Sequence, residues 1–421
     1  MIEEKGARHL STGQQDLAAA VSFTQVQEAH ARLRDVINPT PLQRSRTLSA
    51  LCGGEVWLKP ESLQRTGSFK LRGAYNRIAT LSAEERARGV ITYSSGNHAQ
   101  GVAWGSRKLG VKATIVMPKS APIVKIQNTR SLGAEILLEG DTYDESYKAA
   151  LEIAKKTGKT LIHAFEDEAV VCGQGTCGLE IMDQLPDADV IVGSIGGGGL
   201  MGGVASAAKA IRPGIQVIGC QASGAPSMVQ SLRQGHAIKA GKPSTFADGI
   251  AVSEASERMR QLLAPLLDEV VDVDDESIAA AVLALLEKAK VVAEGSGAIS
   301  LAALEKLRAP LKGKKIVVIV SGGNIDVNVL ARIIDRGLIR AGRRLRVNVW
   351  LSDRPGSLAQ LTELIARQGA NVLQAIHDRS EPSVTIDQTE VALTLETRGQ
   401  EHSDEVVRAL REHVIRVELV H

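Results

Sequence analysis

The chain has 421 residues, 44% of them hydrophobic, with 40 glycines, only 3% aromatic residues and a formal net charge of +2. That length implies two or three domains, and the balanced charge with few aromatics argues against a nucleic-acid partner, which needs clustered Lys/Arg and stacking rings. No uncharged stretch is long enough to span a bilayer, no leader-like apolar run opens the chain, and four cysteines are too few for a disulfide framework, so a cytoplasmic protein with buried thiols is expected.

Taken in order, residues up to about 20 are polar and Ala-rich and read as a loosely docked arm. Thr24-Gln-Val-Gln27 fits a capping box with Thr24 as N-cap, opening a helix to about Val36 that Asn38-Pro-Thr-Pro41 stops. Val56-Trp57-Leu58 reads as a strand and Leu71 to Ile78 as a helix. Between them lies Lys59-Pro-Glu-Ser-Leu-Gln-Arg-Thr-Gly-Ser-Phe-Lys70. A lysine held partly desolvated beside the amides of Gly67, Ser68 and Phe69 has a lowered pKa and becomes nucleophilic enough for a Schiff base. Taken alone, Lys70 reads more simply as a solvated charge at a helix start.

Short apolar, β-branched runs then alternate with helices, at 89–93, 113–117, 135–138, 160–163, 189–192, 216–219 and 315–320. This pattern predicts an α/β fold with a mostly parallel sheet covered on both faces and ligands at the carboxyl ends of its strands. Three loops fall there: Ser94-Ser95-Gly96-Asn97-His98, Gly196-Gly197-Gly198-Gly199-Leu200, and Ser321-Gly-Gly-Asn324. Four successive glycines let the main chain curl around an anion, and without dinucleotide or Walker hallmarks they suit a compact phosphorylated ligand, a flexible turn being the alternative. Ser94 to Asn97 offer amides and hydroxyls to a carboxylate, and Asn97 an amide hydrogen to a phenolate-like oxygen. His98 reads as structural, since Lys70 already supplies a base. Ser321 carries a hydroxyl, which unlike an acid would not hold a pyridine nitrogen protonated.

These four stretches, in this order, resemble the fold-type II pyridoxal-phosphate enzymes, and among them most closely the medium-length threonine ammonia-lyase (threonine dehydratase) family. The resemblance covers about residues 24 to 330 and implies a two-lobed, tryptophan-synthase-β-like fold of parallel and mixed sheets. It implies pyridoxal 5'-phosphate joined as a Schiff base to Lys70, stacked by Phe69, with Asn97 on the phenolic oxygen, Gly196 to Leu200 on the phosphate and Ser321 on the ring nitrogen. Ser94, Ser95, Gly96, Asn97 and His98 would grip the carboxylate of an amino-acid substrate. Lys70 would then act as general base, and a ring nitrogen facing Ser321 favours loss of the β-hydroxyl over amino transfer. Related serine racemases share these loops; Ser95 matches their second catalytic acid, and Gln221 stands where they carry an acidic metal ligand, so no metal is expected. The implied reaction is elimination from L-threonine and L-serine to 2-oxobutanoate or pyruvate and ammonia, with serine racemase or hydroxyaspartate dehydratase as the alternative. Glu294, in Ala-Glu-Gly-Ser-Gly, is a pocket candidate on the same resemblance or, equally, a carboxylate at a helix start.

Sequence character changes at Arg340-Ala-Gly-Arg-Arg, dividing a catalytic part, 1–340, with a small lobe at about 89–166, from a C-terminal part, 345–421. The latter reads β-α-β-β-α-β, a ferredoxin-like order, and its Asp353-Arg-Pro-Gly-Ser-Leu turn resembles that of ACT domains. That resemblance implies an amino-acid effector, isoleucine or valine first, in keeping with isoleucine biosynthesis, and a homo-oligomer, dimer or tetramer; a plain dimerisation module is the alternative.

Overall fold

The computed structural model describes residues 17, 21–307, 311–379 and 385–420, so most of the arm expected before residue 20 lies outside the described residues. The chain divides into two compact units, Met1–Ile325 and Asp326–His421. This boundary precedes the helix Val327–Arg340, whereas the change in sequence character at Arg340 follows it.

The first unit contains strands β1 (Gln43–Arg44), β2 (Glu55–Pro60), β3 (Val90–Tyr93), β4 (Ala113–Met117), β5 (Glu135–Leu138), β6 (Thr160–Leu161), β7 (Val190–Ser194), β8 (Gln216–Ala222), β9 (Glu269–Val273) and β10 (Lys315–Val320). They form two sheets, β1-β2-β10-β7-β8-β9 and β5-β4-β3-β6, parallel throughout except that β1 runs antiparallel to β2. All of β3, β4 and β7 is buried, as is β10 after its first residue, which is why these strands read as unbroken apolar runs. The edge strands β1 and β9 escape sequence reading because one has two residues and the other interleaves Glu269 and Asp272 with its valines.

Each sheet has its own core. Around the larger one pack Val171, Ile191, Met201, Val204, Val217 and Ile319; around the smaller, Ile78, Val90, Val102, Ile115 and Ile162. The helix Glu168–Gln184 links them and approaches its neighbours closely, since a Cβ on Gly173 would stand 2.6 Å from the Arg72 carbonyl. The first described helix, Phe23–Leu33, corrects the capping register: Ser22 is the N-cap and Gln25 closes the box. Ser22/Gln25 and Thr24/Gln27 both fit the same pattern, and Thr24 instead lies within the first turn.

The second unit consists of the helix Val327–Arg340, β11 (Arg344–Ser352), the helix Ser357–Arg367, β12 (Asn371–Asp378), β13 (Gln388–Glu396), the helix Gln400–His413 and β14 (Arg416–Leu419). Its antiparallel sheet has the order β12-β13-β11-β14 over a core of Val347, Val349, Leu361, Ile365, Val391, Leu393, Val406 and Leu410. This is the expected β-α-β-β-α-β arrangement.

Candidate active site

The site follows from strand order. Because β10 inserts between β2 and β7, segments distant in sequence leave the carboxyl end of the larger sheet side by side. The loop before Lys70 pairs with the loop after β10: Gly323 N donates to Gly67 O at 2.9 Å, Phe69 N donates to Ser321 O at 3.1 Å, and Ser68 bridges Gly322. Glu294 N then donates to Gly322 O at 3.1 Å, bringing in the start of the helix Gly295–Ala302. Gly67, at φ +72, is a position where a side chain is strained, and a Cβ there would lie 2.3 Å from Asn324 Oδ1.

Lys70 is the first residue of the helix Lys70–Ala79. Its Nζ donates to Ala164 O at 3.3 Å and lies 5.2 Å from the Phe69 ring centroid. Burial brings its pKa down to about 8, against the opposing charge of Glu294. Asn97 opens the helix Asn97–Lys108 beyond β3. Its Nδ2 donates to Glu294 Oε1 at 2.6 Å, and its Oδ1 accepts from Asn324 Nδ2 at 2.8 Å. The neighbouring Ser94, Ser95 and Gly96 are half-buried, and Ser94 Oγ accepts from Gly96 N at 3.2 Å. His98 is buried with Nε2 3.0 Å from Ile162 O; burial, then the charge of Lys70, depresses it to about 3, so it is neutral at physiological pH.

The tetraglycine loop leaves β7 and enters the helix Gly199–Ile211, whose N-cap, Gly198, has φ +97 and no side chain to satisfy the first N–H groups. Gly197 packs so closely under Phe165 that a Cβ would stand 2.3 Å from the ring, and Leu200 anchors the helix in the core. At the same carboxyl end of β7, Ser194 Oγ donates to Ser321 Oγ at 3.2 Å, and Ser321 Oγ donates to Ser296 O at 3.0 Å.

The structure thus draws Lys70, Phe69, Asn97 and Ser321 into one neighbourhood, with His98 buried beside Asn97 in the first turn of the same helix. Sequence reasoning passed over Ser194, Ser296, Phe165 and the side chain of Asn324. Asn324 could have been found as the last residue of the Ser321 loop; Phe165, in an ordinary-looking segment after β6, leaves no local signal. Gln221 is a helix cap here, its Oε1 accepting from Met228 N at 3.0 Å and Val229 N at 3.1 Å. Cys172, Cys177 and Cys220 are buried and Cys52 is half-buried, none of them in a disulfide.

A buried amine of lowered pKa, an anion-receptive glycine loop opening a helix, and a serine hydroxyl in place of an acid define a fold-type II cofactor enzyme. The chain matches the family model of the pyridoxal-phosphate dependent enzymes over residues 33–322 and belongs to that family, and it matches the ACT domain model over residues 345–414. It is 50% identical over 392 residues to the L-threonine ammonia-lyase of Thermotoga maritima, which covers 93% of this chain and 97% of that protein. Among solved structures, it is similar to the processed form of threonine deaminase isoform 2 from Solanum lycopersicum, with TM-score 0.71 and 39% identity over 77% of this chain and 89% of that one. Maize serine racemase is similar too, with TM-score 0.72 and 36% identity over 76% of this chain and 99% of that chain.

Pyridoxal 5'-phosphate is therefore the cofactor, and the side chains present suit it. The amine of Lys70 is poised for an aldehyde, the glycine loop gives a phosphate main-chain donors without side chains in the way, and the nearby Ser68 Oγ is buried with no partner among the described residues. Among the described residues no helix is long and apolar enough to cross a membrane.

Proposed function

We propose that this protein eliminates the β-hydroxyl of L-threonine, and of L-serine, to give 2-oxobutanoate or pyruvate and ammonia. What carries the reading is Lys70: an amine brought down to about 8 by burial, in a chain half identical over most of its length to an L-threonine ammonia-lyase. The bound cofactor supplies an electron sink for the carbanion at the substrate Cα.

The protein's own residues take the remaining tasks. Lys70 anchors the cofactor and, once released, is the base that removes the Cα proton, its lowered pKa leaving a substantial neutral fraction near pH 8. Phe69 stacks beside the ring, and the N–H groups of Gly196 to Leu200 take the phosphate. Asn97 donates to the phenolic oxygen. Ser321, a hydroxyl, leaves the ring nitrogen unprotonated, a state that favours elimination over amino transfer. Ser94, Ser95, Gly96, Asn97 and His98 form the carboxylate-binding turn, with His98 stiffening it from its buried bond to Ile162.

The C-terminal unit is proposed to bind an amino-acid effector and to support a homo-oligomer, dimer or tetramer. A cavity of about 440 Å³ lies against the Asp353 to Leu358 turn, with Arg354, His377 and Arg379 in its wall. Arg354 and Arg379 suit a carboxylate and Asp353 an ammonium, and isoleucine and valine are the first candidates. Four cysteines outside any disulfide accord with a cytoplasmic setting.

The test is a substrate panel on the purified protein, scored for 2-oxobutanoate, pyruvate and D-serine. Keto-acid release from threonine supports the proposal. D-Serine as the main product, without keto acid, would favour the racemase reading that the maize structure suggests.

A further inference from the structure

The polar groups around Lys70 form one continuous hydrogen-bonded chain. Asn324 Nδ2 donates to Thr66 O and to Asn97 Oδ1, both at 2.8 Å. Since both acceptors are oxygens, the orientation of the Asn324 amide is determined, and with it that of Asn97, whose Nδ2 is turned to Glu294 Oε1 at 2.6 Å. Ser296 Oγ donates to the same Glu294 oxygen at 2.8 Å, while Ser296 O accepts from Ser321 Oγ at 3.0 Å. Ser321 has one hydroxyl proton and uses it on that carbonyl, so Ser194 Oγ at 3.2 Å is the donor to Ser321.

Glu294 stands at the middle of this chain and is only 6% exposed. Gly322 lies against it, and a Cβ there would fall 2.5 Å from Oε1 and 3.2 Å from Asn97 Nδ2, so the contact depends on a bare main chain. A buried carboxylate is costly unless hydrogen bonds and nearby charges compensate it, and here Asn97 and Ser296 both donate to it. Asn97 has two amide hydrogens and Glu294 takes one, which leaves the other with a single permitted direction.

We propose that Glu294 is a positioning residue that orients Asn97, the group assigned to the phenolic oxygen of the cofactor ring. The inference rests on the assignment of Asn97 to the cofactor made above. It adds a residue with no assigned contact to the ring that sets one of the ring's polar contacts. Its charge state is itself variable: burial, then the charge of Asp248, pushes the carboxyl up to about 7, against hydrogen bonds from Ser296 and Asn97 and the charge of Lys125. The other charged group acting on it is Lys70. Glu294 therefore passes from neutral to charged as pH rises through about 7, altering the field at the ring's phenolic edge.

The experiment compares the full-length native chain with Glu294→Gln and Glu294→Ala. Each is stripped of cofactor and titrated with pyridoxal phosphate, and the visible absorption of each reloaded protein is followed from pH 5.5 to 9. Gln keeps an oxygen that accepts from Asn97 and Ser296, so affinity should stay within about threefold, but the spectral response centred near pH 7 should vanish. Ala leaves both donors unpaired, and affinity should fall about tenfold or more. Far-UV circular dichroism and the thermal midpoint check folding; should Ala misfold, the Gln spectrum decides. An Ala variant that binds like the native chain, or a Gln variant that keeps the pH response, would overturn the proposal. A native chain that takes up no pyridoxal phosphate would instead overturn the site reading beneath it.

Discussion

Arg72 and Glu61 meet fork to fork with neither side chain reaching solvent: Arg72 Nε donates to Glu61 Oε2 at 2.7 Å and Arg72 NH2 to Glu61 Oε1 at 2.8 Å. The pair belongs to a buried quartet. Arg72 NH1 donates to Glu180 Oε1 at 2.6 Å, and Lys59 Nζ donates to Glu180 Oε2 at 2.5 Å, so two cations face two anions. Arg72 is two residues from Lys70 on the same helix, and Glu61 follows β2 directly. The quartet therefore pins the helix that carries the lysine to the larger sheet and to the helix Glu168–Gln184, and explains why Lys59-Pro-Glu61 and Lys70-Leu-Arg72 occur together.

Removing one member should cost far more than a surface ion pair. Glu61→Gln is expected to destabilise the fold by about 3–5 kcal/mol in urea unfolding, because it leaves the buried Arg72 and Lys59 cations with Glu180 as the one remaining carboxylate of the quartet. Burial raises the Glu61 carboxyl, but the charge and hydrogen bonds of Arg72, with Lys59 and Thr40, bring it below its ordinary 4.5. A depressed carboxylate stabilises the folded state above the unfolded pKa, and that contribution is lost as pH falls through the folded one. Native stability should thus drop below about pH 4.5 more steeply than that of Glu61→Gln; parallel curves would show that Glu61 does not titrate on unfolding.

Lys70 must be neutral to attack an aldehyde. With its pKa at about 8, the rate at which the cofactor-free protein captures pyridoxal phosphate should climb with pH and level off above that value. Stopped-flow absorbance reads this rate directly. Lys70→Ala should lose both the covalent chromophore and turnover, and retention of either would remove Lys70 from the role of anchor and base.

The tetraglycine loop makes a steric prediction. A methyl group at Gly197 would stand 2.3 Å from the Phe165 ring, too close to be absorbed without moving the loop. Gly197→Ala should weaken cofactor binding about tenfold or more, at roughly 1.4 kcal/mol per factor of ten. Adding Phe165→Ala should recover part of the loss. Equal affinities for the single and double variants would show that the ring is not what the methyl group meets.

In the C-terminal unit, Arg379 NH2 and Asp353 Oδ1 are paired at 3.1 Å beside the cavity. Isothermal titration of the full-length chain with isoleucine and valine should show binding heat, and Arg379→Ala should reduce affinity about tenfold by removing a charge-assisted hydrogen bond. No heat from any branched-chain amino acid would favour a dimerisation module without a ligand.

Much of this molecule can be read from the chain because its strands are buried on both faces. β3, β4, β7 and β10 appear as apolar runs, and the loops after β3, β7 and β10 appear as small-residue interruptions at their ends. Lys70, Asn97, the four glycines and Ser321 were legible for that reason, as was the β-α-β-β-α-β order of the second unit. Local pattern also determines helix starts only to within a turn, as the move from Thr24 to Ser22 illustrates.

What the sequence alone determined is the alternation of elements, the residue types at the strand ends and, through the family resemblance they carry, the cofactor. Which of those residues touch was decided by the tertiary structure. The insertion of β10 between β2 and β7 sets Ser194 against Ser321 across 127 residues of chain and Asn97 against Glu294 across 197. No periodicity encodes such pairings, because they arise from which strands become neighbours. The same holds for Arg72 and its two carboxylates: charges that the sequence presents one by one become a structural element only when folding removes water from all of them at once.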